Sequence, residues 1–241
     1  MDDNETAAVE SRITVLMQAL SDPHVSVRWN AIRELGRMGT QAASAIPTLK
    51  IALEDHDGTT ALWAACALAR IEANQAAYLP LLIKGLQEKY RVFPGMASAA
   101  LAELGREAVP AIPALIAELT AAHSDDRWSA AGALAAIGPD ASAAVPALIQ
   151  ALQKDTDEKA RWYAAWALGQ IGKASAPAVP ALIRALDDPD ADVRGYAARA
   201  LGCIGSEARE AIPRLTEITP LEEGAVQAEM THTLNMLNKM E

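Results

Sequence analysis

The chain has 241 residues, of which 51% are hydrophobic but only 4% aromatic, and it carries a formal net charge of −10. An acidic balance of that size argues against a generic nucleic-acid binder, because phosphate contacts dominate affinity for DNA and RNA. The acidic opening MDDNETAAVE lacks the basic and apolar regions of a signal peptide, and no apolar run reaches bilayer length, so a cytoplasmic location without membrane insertion is expected. Cys66 and Cys203 lie far apart with no CxxC or His partner at metal spacing, so neither a disulfide framework nor a metal site is predicted.

After an acidic segment over residues 1–11, the chain becomes periodic. Pro47, Pro80, Pro113, Pro146, Pro180 and Pro213 are separated by 33, 33, 33, 34 and 33 residues. Each follows Ile, Leu or Val and opens an apolar segment such as IPALIAEL or VPALIRAL, with the proline in the first helical turn where its missing N–H costs nothing. This is helix A of a hairpin. A polar turn (SDPHVS, EDHDGT, DDPDAD) leads to a longer helix B, as in VRWNAIRELGRMG, ARWYAAWALGQIG and VRGYAARALGCIG, closed by Gly. Repeats start near Ile13, Ile46, Leu79, Ile112, Val145, Val179 and Ile212. The last ends in a helix made more polar by Thr231, His232, Asn235 and Asn238, as a terminal cap requires. No linker interrupts the array, so residues 12–241 are expected to form one all-α domain, an α-solenoid of about seven antiparallel helix pairs.

The pattern P-A-L-I-x-A-L, then D-x5-R, then A-A-x-A-L-G-x-I-G resembles the HEAT repeat, in the short subtype of phycobilisome-lyase-like proteins. The resemblance implies a right-handed superhelix whose helix B free face lines the inner, concave side. It also implies a structural Asp–Arg pair, matched by Asp22/Arg28, Asp155/Arg161 and Asp188/Arg194. Ala61 and Pro94 stand at the Arg position of repeats two and three, and Arg127 has Ala121 where its Asp is expected. The ladder of pairs is therefore expected to break mid-array. Repeat three is irregular in EKYRVFPGMASAA, where Tyr90 and Phe93 sit near Pro94; local packing or a second contact point would explain them.

Registering each helix B on its last apolar residue places Trp29, Asn30, Arg33 and Arg37 on the free face of repeat one. Repeat two places Leu62, Trp63, Cys66 and Arg70 there, and repeat three Gly95, Met96, Ala99 and Glu103. The fourth contributes Trp128, Ser129, Gly132 and Ala136. Trp162, Tyr163, Trp166 and Gln170 follow in the fifth, and Gly195, Tyr196, Arg199 and Cys203 in the sixth. All five tryptophans fall on this face, and Trp128 and Trp162 are expected to approach across repeats. Gly95, Gly132 and Gly195 suggest clearance beside the rings. Arg33, Arg37, Arg70 and Arg199, opposed by Glu103 and Glu229, suggest a mildly basic groove; a solvated charged face is the alternative. Clustered aromatics with arginines are the composition of an interaction surface, the competing account being rings laid flat to seal an Ala-rich core.

No catalytic signature is present. GQIGKAS has the wrong spacing for a phosphate loop, the histidines lack the His-Glu iron motif of the hydroxylase branch, and Asp125-Asp126 and Asp187-Asp188 sit where helix caps are expected. The chain is read as a non-enzymatic scaffold without cofactor, itself a candidate subunit of a larger complex. It would grip a protein or peptide partner through Trp29, Arg33, Arg37, Trp63, Arg70, Trp128, Trp162, Tyr163, Trp166, Tyr196 and Arg199. Family resemblance leaves two alternatives open, a bilin lyase-like chromophore handler and a HEAT-like DNA glycosylase or DNA-binding module.

Overall fold

A computed structural model describes residues 3–72, 75–87 and 96–239. The described residues form α-helices joined by short 3-10 turns, without strands. Internal contacts group the chain into two compact units, Met1–Leu104 and Gly105–Glu241. The boundary falls at the end of the third repeat, whose turn reads EKYRVFPG. Tyr90, Phe93, Pro94 and Gly95 lie outside the described residues.

The first unit contains α1 (Asp3–Ala19), α2 (Val25–Met38), α3 (Ile46–Ala52), α4 (Gly58–Ile71), α5 (Leu79–Gln87) and α6 (Met96–Leu104). Residues 3–11, set apart by sequence as an acidic segment, are the first half of α1. The second unit contains α7 (Ile112–Glu118), α8 (Ser124–Ile137), α9 (Val145–Lys154), α10 (Glu158–Ile171) and α11 (Val179–Ala185). It continues through α12 (Ala191–Ile204), α13 (Ile212–Ile218) and α14 (Gly224–Lys239). Odd-numbered helices are the A helices and even-numbered ones the B helices. Each A packs on the B that follows it, and α8, α10, α12 and α14 pack in series.

Local chemistry sets these boundaries. Asp57, Asp157 and Asp190 cap α4, α10 and α12, each accepting the backbone N–H three residues on. Gly172 and Gly205 end α10 and α12 at φ +69° and +87°, which only glycine adopts without strain. The core repeats with the sequence. Leu49, Leu82, Leu115, Leu148, Leu182 and Leu215 on the A helices are fully buried, as are Leu35, Leu68, Leu101, Leu134, Leu168 and Leu201 on the B helices. Neighbouring B helices approach closely because small residues meet. A Cβ on Gly36 would lie 3.1 Å from the Ala67 Cα, and one on Gly169 would lie 3.1 Å from the Ala200 Cα.

The Asp–Arg ladder differs from the expected pairing. Arg161 donates from Nε and Nη2 to Asp188 of the next repeat at 2.8 and 2.9 Å, and from Nη1 to the Asp155 carbonyl of its own turn at 3.1 Å. Arg127 does the same with Asp155 (2.6 and 2.7 Å) and the Ala121 carbonyl (3.0 Å). Arg194 closes the series on Glu222 at 2.6 and 3.0 Å. Each Arg therefore reads its own turn through a backbone carbonyl, which Ala supplies as well as Asp, and clamps the following repeat through a carboxylate. The second unit thus carries an unbroken ladder from Arg127 to Glu222, correcting the break expected at Ala121. In the first unit Arg28 pairs with Asp55 at 3.2 Å. Asp55, Asp155 and Asp188 also accept the backbone N–H two residues on, so one carboxylate both shapes its turn and receives the clamp.

The 125–154 stretch is long and apolar enough to cross a membrane by composition, with a mean hydropathy of 1.4 over its most apolar window. From the sequence no run of that length is expected. The stretch contains two helices, α8 and α9, separated by a 3-10 turn that starts at Gly138 with φ +75°, and 56% of that window is buried in the fold.

Candidate partner-binding face

The aromatics of the second unit form one stacked column. Trp128 of α8 stacks on Tyr163 of α10 with ring centroids 5.2 Å apart and planes at 25°. Tyr163 stacks on Trp162 at 3.8 Å, and Trp162 stacks on Tyr196 of α12 at 4.9 Å. Trp166 meets Tyr163 edge-on at 5.8 Å. Five rings from three successive B helices are thus fixed against one another, and all five remain half-buried. Offset stacks and edge contacts are the arrangements that the ring quadrupoles favour, adding about 0.5–1.5 kcal/mol per pair beyond area burial.

The contacts refine the expected geometry. Trp128 and Trp162 do lie in one assembly, with Tyr163 interposed between them. Gly132 leaves no hollow: a Cβ there would come within 3.3 Å of Tyr163 Cε1, so the absent side chain makes room for that ring. Gly195 does face open space, with Val226 Cγ2 alone within 4 Å of its would-be Cβ. Burial pushes the Tyr163 phenol up from its ordinary pKa, and the nearby Tyr196 adds to the effect. The indole of Trp128 donates from Nε1 to Asp125 at 2.9 Å. Asp125 thus orients a ring of the column.

In the first unit the proposed residues are tied into the fold. The indole of Trp29 donates from Nε1 to Asp57 and to the Thr60 hydroxyl, both at 3.0 Å, linking α2 to the capped start of α4. Leu62 departs from the free face and lies against α5, where a Cβ on Gly85 would come within 2.5 Å of its Cδ1. Trp63 is half-buried, and burial pushes the Cys66 thiol up to about 12. Arg33 donates to Asn30 at 3.0 Å and Arg37 to Glu34 at 3.1 Å. Arg70 is paired with Glu103 at 2.7 Å. Arg37 and Arg70 thus meet carboxylates of their own unit, which offsets the basic character expected of this face.

Asp192 and Val226, which the sequence does not single out, join Gly195, Tyr196, Arg199 and the expected Glu229 around a cleft between α12 and α14 of about 230 Å³. The signal was present in the register, because Asp192 stands three residues before Gly195 as Asp125 stands before Trp128. Among the described residues no group of His, Cys, Asp and Glu is arranged to hold a metal ion.

A chain built of paired antiparallel helices, stacked through their B helices and clamped turn to turn by Arg–carboxylate pairs, is a helical-repeat protein. The HEAT-repeat family matches residues 13–102, 112–179 and 145–235, and the chain belongs to that family. No curated protein matches its sequence. Among solved structures, an engineered protein is similar at 24% identity and a TM-score of 0.68, over 95% of this chain and 69% of its own. The complex of CpcE and CpcF of phycocyanin lyase from Nostoc sp. PCC7120 is similar at 24% identity and a TM-score of 0.53, over 65% of this chain and 98% of that one. A computationally designed armadillo repeat protein for modular peptide recognition gives 20% identity and a TM-score of 0.52, over 94% and 100%. These likenesses establish the fold.

Proposed function

We propose that the protein is a non-catalytic scaffold that binds a protein or peptide partner, with the aromatic column of the second unit as its anchor. The observation that carries this reading is the half-exposed set Trp128, Tyr163, Trp162, Tyr196 and Trp166, immobilised before any partner arrives. Rigid aromatics lose little conformational entropy on association, and such anchors dominate interface energetics. A repeat designed for modular peptide recognition shares the fold, which supports the class of partner. The chromophore reading draws less support, because Tyr163 and Trp162 are stacked on both sides by other rings of the chain. The DNA reading is weakened by the carboxylates that meet Arg37 and Arg70 and by the net charge of −10.

The test is affinity purification of the tagged chain from its source cells, comparing wild type with Trp162→Ala/Trp166→Ala. The expected result is a partner retained by wild type and lost by a variant whose helical circular dichroism is unchanged. Equal retention by both would remove the column from the binding site.

A further inference from the structure

The column of rings has an open end, and its geometry specifies what fits there. Tyr163 is sandwiched: Trp128 of the preceding repeat covers one side, and Trp162, its own neighbour in sequence, covers the other. Tyr196 is the equivalent residue one repeat on, as Arg161-Trp162-Tyr163 and Arg194-Gly195-Tyr196 make plain. It receives Trp162 at 4.9 Å, but Gly195 stands where a second indole would cover it. The cleft between α12 and α14 opens at this point, with Tyr196, Gly195 and Val226 in its wall. Gly195 has no left-handed φ that would demand glycine, and space around its would-be Cβ is open. Helix geometry thus gives no reason for glycine here.

The polar group is also in place. In repeat four the indole N–H of Trp128 is received by Asp125, three residues earlier, at 2.9 Å. Asp192 lies three residues before Gly195 and lines the cleft, exposed and without a hydrogen bond or ion pair among the described residues. The cleft therefore combines two placements found singly elsewhere in this chain: a tyrosine placed as Tyr163 is to Trp162, and a carboxylate placed as Asp125 is to Trp128. Asp192 and Glu229 outnumber Arg199 on the lining, which disfavours an anionic guest, and an arginine probe serves as the competing cationic case.

Resting on the partner-binding reading above, we propose that this cleft receives a tryptophan side chain of the partner. The guest indole stacks on Tyr196 and donates its N–H to Asp192, so that the partner supplies the ring that Gly195 leaves out. Repeat six becomes the point at which the internal column continues into the bound chain.

The test titrates N-acetyl-tryptophanamide into the full chain and follows the Tyr196 ring and Val226 methyl signals by NMR. N-acetyl-phenylalaninamide and N-acetyl-argininamide serve as the comparison probes. Saturable shifts centred on Tyr196 and Val226 are expected. The phenylalanine probe should bind roughly threefold to tenfold more weakly, the loss of one hydrogen bond, and Asp192→Ala should erase that preference. Gly195→Trp, which fills the cleft from within, should abolish binding, as should Tyr196→Leu, which keeps bulk but removes the stacking face. Absence of saturable shifts, shifts unaffected by both variants, or tighter binding of the arginine probe would each overturn the assignment. Because the probes need no partner, this outcome is independent of whether Trp162→Ala/Trp166→Ala loses a captured protein.

Discussion

Replacing Arg161 by Ala tests the ladder directly. The side chain makes two bonds of 2.8 and 2.9 Å to Asp188 and a third of 3.1 Å to the Asp155 carbonyl, with Arg161 14% and Asp188 11% exposed. Breaking a buried pair from one side costs about 3–5 kcal/mol, because the other charge is left without its partner. Residual access of water places this pair at the lower end, about 3 kcal/mol. Arg161→Lys keeps the charge but loses the bidentate fork, for a loss of roughly 1–2 kcal/mol. The internal control is Arg214, paired with Asp187 and Glu217 on the surface, where Arg214→Ala should cost at most about 1 kcal/mol. Urea unfolding followed by far-UV circular dichroism, fitted with a nearest-neighbour model because repeats need not unfold together, gives the three values. If Arg161→Ala is no more destabilising than Arg214→Ala, the ladder does not hold the repeats together and its clamp role is refuted.

Ala121→Asp, which the sequence pattern presents as restoring a missing rung, gains only the turn bond that Asp55, Asp155 and Asp188 make, because Arg127 already bonds the Ala121 carbonyl and Asp155; it should stabilise by at most about 1 kcal/mol, and a gain above roughly 2 kcal/mol in urea melts would contradict the pairing described. Ser175 is fully buried with its hydroxyl unpartnered, at a position that is Ala42, Ala108, Ala141 and Ala208 in other repeats, so Ser175→Ala should stabilise by roughly 1 kcal/mol, read as a raised urea midpoint. Acid should weaken the second unit through Asp155: burial pushes its carboxyl up, but the Arg127 bond and the Asp157 amide hold it below the usual value. A depressed native pKa means stability fully present above the ordinary carboxylate pKa of about 4 and lost as pH falls through the native value. Melting temperature should therefore fall below about pH 4, and less steeply in Arg127→Met, where the depression is removed.

The 33-residue spacing of prolines, the closing glycines and the leucines at fixed register suffice to write the helical hairpins from sequence, because each is a local constraint repeated many times. The same register places Trp128, Trp162, Tyr163, Trp166 and Tyr196 on one face. What the register could not determine is how side chains of adjacent repeats meet. That Tyr163 stacks on Trp128 and fills the space at Gly132, that Arg127 clamps Asp155, and that Leu62 turns to Gly85 all depend on contacts between residues of neighbouring repeats. Those contacts are set by how closely the small residues let neighbouring B helices approach, and tertiary packing alone decides that distance.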